Sequence, residues 1–130
     1  MNTLNKTMSI VAMLIFVFAG ISTQAQTTWD VPTDKKDLKN PVAANAENIA
    51  KGLQTYTMNC KACHGDIGKN NGLPLVPKPT DPGSEAYQKM TDGEIFYKMT
   101  EGRGAMPSYK AILKDEDRWN VILYMRSLNK

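Results

Sequence analysis

One stretch of five residues, Cys60-Lys61-Ala62-Cys63-His64, constrains this chain more than any other. The chain has 130 residues, two cysteines and one histidine, and all three sulfur and imidazole groups fall in this stretch. Cys-x-x-Cys-His is the attachment pattern for c-type haem. Each thiol adds to one vinyl group of the porphyrin to form a thioether, and the short spacer lets both sulfurs reach one edge of the macrocycle. The adjacent imidazole turns under the ring and ligates iron as the proximal ligand. The expectation is therefore one covalent haem c, with Cys60 and Cys63 as thioethers and His64 on the iron. A disulfide would account for the cysteine pair but leave His64 unexplained. A thioredoxin-like thiol site would follow a strand in a βαβ setting. Zinc prefers four ligands, and this cluster offers three.

The leading segment carries a single charge, Lys6, followed by an apolar run from Ile10 to Ile21. That run of about 12 residues falls well short of the roughly 20 needed to span a bilayer. With small and polar residues after it, the segment has the order of a secretory signal peptide, cut after Ala25. Residues 1–25 are read as that signal, 26–44 as an extended arm and 45–130 as the haem domain. An uncleaved membrane anchor is the alternative. Losing Lys6 from 16 basic residues leaves 15 against 13 acidic ones, a formal charge of +2 that two haem propionates would bring near zero. No basic run or stacked aromatic pattern points to nucleic acid.

The rest of the chain reads as helices and loops. Residues 43–58 are predicted helical, with Asn45 as cap and Ile49, Leu53 and Tyr56 at helical spacing. From Gly65 to Gly83 glycines and prolines exclude long regular structure, and a loop of this length is usually functional. Ser84 to Lys89 is compatible with a short helix. Thr91 and Glu94 form a capping box for a helix that Gly102 ends. A last helix begins at Asp115, runs to about Leu128, and is apolar over more than one face.

A haem iron held by one histidine needs a sixth ligand, and methionine is the usual one in electron-transfer cytochromes. Beyond residue 25 the candidates are Met58, Met90, Met99, Met106 and Met125. Met58 lies too close to Cys60, on the attachment side. Met99 and Met125 sit at helical spacing on apolar faces, where packing is the default, and Met90 also reads as core filler. Met106 lies in a loop between Gly104 and Pro107, and the proline biases it toward extended geometry that projects a side chain inward. It is the expected distal ligand, 42 residues beyond His64. The imidazole N–H of His64 should meet a carbonyl, and the loop offers those of Pro74, Pro77 and Pro79.

With these motifs in hand, residues 43–128 resemble the class I c-type cytochromes, small monohaem electron carriers. The haem motif followed by Gly65 matches the attachment site, and Met106-Pro107 matches the distal ligand and its proline. Gly52 and Tyr56 look like the small and aromatic pair of the family's first helix, and Tyr124 like the aromatic of its last. The resemblance implies an all-α fold of three to five helices round one haem, with first and last helices crossing near Gly52 and Tyr124. It also implies Pro74 as the carbonyl partner of His64, displaced by the extra Leu73, and suggests Arg103 for a haem propionate. Trp119 is expected to pack, and Tyr109 to reach a propionate or the methionine sulfur.

The function expected is that of a periplasmic, monomeric one-electron carrier, not an enzyme, exchanging electrons with a membrane quinol-oxidising complex and a terminal oxidase or reductase. A haem subunit of a larger oxidoreductase is the variant of this reading. A gas-sensing or catalytic haem domain would require Met106 not to be a ligand.

Overall fold

The computed structural model describes residues 28–128, so the expected signal peptide lies outside the described residues. Within them the fold is all-α. Six helices occur among the described residues: α1 (Thr33–Lys36), α2 (Ala46–Asn59), α3 (Lys61–His64), α4 (Glu85–Gln88), α5 (Asp92–Glu101) and α6 (Asp115–Ser127). Three of them, α1, α3 and α4, are single turns of four residues. The count exceeds the expected three to five because α1 forms inside the arm. Pro32 at its N-cap presets φ at −54°, and Asp34 in its first turn and Lys35 and Lys36 in its last complement the helix dipole. The arm is therefore not extended throughout.

The long helices start where their caps dictate. The Asn45 side chain accepts from Asn48 N at 2.9 Å. The Thr91 hydroxyl accepts from Glu94 N at 3.1 Å while the Glu94 carboxylate accepts from Thr91 N at 2.8 Å, completing the capping box. α5 ends at Gly102, whose φ of +66° suits glycine.

Packing centres on α2 against α6, the most extensive helix pair. A β-carbon at Gly52 would lie 2.0 Å from the Asn120 carbonyl oxygen and 2.9 Å from Tyr124 Cβ, so only hydrogen fits at the crossing. Tyr56 and Tyr124 meet beside it, ring centres 5.5 Å apart and tilted by 57°. This close approach turns Gly52, Thr55 and Tyr56 inward. Leu53, expected on the apolar face, is instead 46% exposed. The core consists of Tyr56, Tyr87, Ile95, Met99, Trp119, Val121, Ile122 and Met125. Trp119 packs as expected, stacked on Phe96 with ring centres 4.0 Å apart. α6 also buries two polar residues, Arg118 and Asn120, which its apolar pattern does not announce. The Arg118 guanidinium donates to the carbonyls of Tyr109 and Leu113 and to Asp115 through its two terminal nitrogens, while its buried Nε has no hydrogen-bond partner.

A second close approach fastens the arm. A β-carbon at Gly93, in the first turn of α5, would lie 2.1 Å from the Lys35 carbonyl oxygen. Helix propensity alone makes alanine better than glycine by about 1 kcal/mol. In this fold both Gly52→Ala and Gly93→Ala should instead lower stability by about 1–3 kcal/mol, the usual cost of overpacking. Urea unfolding reads the sign directly, and a gain at Gly93 would mean the arm is not docked there.

Candidate haem site

The haem motif sits on a sharp change of direction after α2. Cys60 caps both α2 and α3, its amide donating to Tyr56 O at 2.8 Å, while Cys63 N and His64 N donate to its own carbonyl at 3.1 and 2.9 Å. One turn thus carries both sulfurs and the imidazole. Both cysteines are free thiols and half-buried. Burial, with a smaller effect from Cys63, pushes the Cys60 thiol up to about 12, so it stays protonated in this form. The Tyr56 hydroxyl, buried and held protonated by that burial, donates to Gly65 O at 2.9 Å and ties the end of the motif to α2.

His64 is oriented by one bond. Its Nδ1 lies 2.8 Å from the Thr80 carbonyl oxygen. A carbonyl only accepts, so Nδ1 carries the proton and Nε2 keeps its lone pair for a metal. This corrects the expectation for Pro74. The chain turns back at that proline, Leu75 N donating to Leu73 O at 2.9 Å, and Pro74 is exposed at the apex. The carbonyl that reaches His64 comes six residues later.

What brings Thr80 there is Asp81, which sequence reading missed. One carboxylate oxygen accepts from Gly68 N at 2.8 Å and Gly83 N at 2.7 Å, and the other from Asn70 N at 2.8 Å. Asp81 therefore staples the near end of the loop to its far end, one residue from Thr80. The signal that could have found it is Asp81-Pro82-Gly83, a turn sequence in which aspartate bonds the amide two residues on. Burial works to raise the Asp81 pKa, but the three amides outweigh it and hold the carboxyl below its ordinary range. A concavity of about 430 Å³ beside the staple is lined by residues of these same loop segments, and by neither cysteine, His64 nor Met106.

Met106 lies in the loop after α5. Arg103 N donates to Met106 O at 2.9 Å and Met106 N to Arg103 O at 3.1 Å, closing a tight turn through Gly104. Tyr109 joins this loop to the motif. Its amide donates to Met99 O at 3.0 Å, and its hydroxyl to Asn59 O at 2.7 Å, beside Cys60. That hydroxyl was expected at a propionate or the methionine sulfur; a backbone carbonyl accepts its hydrogen bond instead. Met106 and Cys60, both partly buried, pack against the same core cluster. Arg103, expected at a propionate, lies with its guanidinium 4.9 Å from the centre of the Trp29 ring.

These residues fit a covalently held haem on their own chemistry. Two free thiols share one turn with an imidazole whose tautomer leaves Nε2 for iron. Leu73, Val76 and Ile112 also leave large apolar side chains exposed on the loops that follow His64 and Met106, surface suited to an apolar ring.

Comparison with known proteins agrees. The family described as cytochrome c oxidase, cbb3-type, subunit III matches residues 47–125, well over half of the chain. The chain belongs to this family and is a small class I c-type cytochrome. It is similar to cytochrome c6 of Picosynechococcus sp., 33% identical over 88 residues that cover 63% of this chain and 74% of the relative. Against cytochrome c6 of Diacronema lutheri it is 32% identical over 80 residues, 62% of this chain and 95% of the relative. The cbb3-type cytochrome c oxidase subunit CcoP of an Azospirillum species is 31% identical over 120 residues, 89% of this chain but 40% of that longer protein. The cytochrome carries one covalent haem c and is an electron-transfer protein with redox protein partners.

Asp81→Ala should cost about 2–3 kcal/mol, because it leaves three amides without their acceptor. Since the folded pKa lies below the unfolded one, this stabilisation is fully present above the ordinary carboxylate range and is lost as pH falls through the folded value. Unfolding of wild type and variant across acid pH should therefore converge, and a constant gap would contradict the staple.

Proposed function

We propose that this cytochrome is exported and carries single electrons between a membrane quinol-oxidising complex and a terminal oxidase or reductase, with His64 and Met106 as the axial pair. Cys60 and Cys63 provide the thioethers. The bound haem supplies the one-electron couple, and the protein's part is to hold, orient and shield it. His64 offers Nε2 because Thr80 holds the proton on Nδ1. Arg103, three residues from Met106, is the proposed partner for a propionate.

The observation that carries the axial assignment is what the other methionines do. Met99 and Met125 are buried in the core at 6% and 4% exposure. The Met125 sulfur accepts from the Tyr87 hydroxyl at 3.1 Å, and the Met90 sulfur from Lys98 Nζ at 3.0 Å. Met58 is 69% exposed on the attachment helix. Met90, between α4 and α5, and Met106, in the loop after α5, both border the cluster that Cys60 also borders, but the Met90 sulfur is engaged by Lys98, which leaves Met106 as the loop methionine for the iron. Methionine and histidine together would occupy both positions that the porphyrin leaves on the iron, with none left for substrate or gas.

Export rests on the order of charge, apolar run and small residues in 1–25, with 26–44 as the arm and 45–130 as the domain. No helix among the described residues is long and apolar enough to cross a membrane. A second reading, a fixed subunit of an oxidase, is favoured by the similarity to CcoP along most of the chain. Copurification with an oxidase after detergent extraction separates it from the free carrier.

Met106→Ala should abolish the far-red methionine-to-iron band of the ferric protein and lower the potential, on a scale of about 0.8 V that axial ligands command. An unchanged band and potential would place the sixth ligand elsewhere.

A further inference from the structure

Among the described residues, the arm is a well-fastened part that the haem site does not explain. It precedes the residues matched by the family, 47–125. Yet Val31 is only 3% exposed, and Val42 packs against the core cluster. The Lys36 carbonyl accepts from the Thr91 hydroxyl at 2.7 Å, and Asn40 donates to Trp119 O at 3.1 Å. Gly93 leaves room for the arm's backbone at Lys35. The capping box of α5 is complete without the arm, so these contacts add something the helix does not need for itself.

Where the arm leads shows what they add. α1 crosses the start of α5, while Trp29, at the other end of the arm, reaches the end of α5. Its half-buried ring has Arg103 at 4.9 Å and Lys98 at 5.9 Å from its centre. The arm thus lies along α5 from its N-cap to the loop beyond its last turn. Arg103 is one of the two residues that close the methionine turn, through paired backbone bonds of 2.9 and 3.1 Å to Met106. A ring face attracts cations, so the indole restrains Arg103, and the paired bonds pass that restraint to Met106.

We infer that Trp29 is a positioning residue for the distal ligand, and that the arm is a strap holding the Arg103–Met106 turn in the conformation that keeps the Met106 sulfur on the iron. The inference rests on the assignment of Met106 under Proposed function. With the strap loosened, an external imidazole competes better for the sixth position. The Met106 sulfur would leave, an imidazole nitrogen would take its place, and the iron would stay ferric, so no electron is gained or lost.

The test is imidazole titration of ferric holoprotein, followed by loss of the far-red methionine-to-iron band. Trp29→Ala should bind imidazole about tenfold more tightly than wild type. Trp29→Phe, which keeps a ring face, should fall between the two. Ile122→Val, at a fully buried core residue on α6, controls for general loss of stability and should leave imidazole affinity at the wild-type value. Unchanged affinity in Trp29→Ala, or an equal gain in Ile122→Val, overturns the strap while leaving Met106 as ligand. A wild-type protein that lacks the band overturns the ligand assignment and the strap with it.

Discussion

The backbones of α2 and α6 touch at Gly52, where the Asn120 carbonyl occupies the space a β-carbon would need. Most of the haem site follows from that contact. It sets Tyr56 against Tyr124, and Tyr56, fixed there, can place its hydroxyl on the Gly65 carbonyl. The motif is thereby gripped just beyond His64, while Cys60 continues the hydrogen bonding of α2. The direction in which the chain presents its two sulfurs and its imidazole is a consequence of how closely two helices, far apart in sequence, can approach.

The loop that follows His64 and the loop that carries Met106 are held differently. The loop after His64 has almost no regular structure, and a carboxylate inside it does the work of a secondary element, gathering three amides from both of its ends. That gathering delivers a carbonyl to His64 and so decides which imidazole nitrogen is free. The Met106 loop is tied to α5 by Tyr109 N and to the end of α2 by Tyr109 Oη, and Arg118 supports it from α6. A small domain with a modest core gains from this arrangement, because polar bonds within the loops fix positions that apolar packing alone would leave loose.

Much of this was legible in the chain. Caps at Asn45 and Thr91, the stop at Gly102 and the crossing at Gly52 are local or pairwise signals, and the helices follow them. The motif at Cys60–His64 and the proline after Met106 are local too. What escaped were features that depend on where a loop closes. Pro74 carries the right chemistry for the histidine's partner, but the chain folds away there, and nothing near Thr80 marks it as the carbonyl that returns. Asp81 reads as a turn residue, and only the fold shows that its two far partners lie 11 and 13 residues back. The arm escaped because one helical turn, one buried valine and one half-buried valine give too short a pattern to register as periodicity.

The account stands or falls on the covalent bond between chain and cofactor. Acid-acetone extraction of the purified holoprotein, followed by a pyridine haemochrome spectrum of the protein fraction, tests it most directly. The account predicts one haem per chain, retained by the protein and giving a c-type spectrum. Haem released into the acetone, with Cys60 and Cys63 recovered as free thiols, would contradict it.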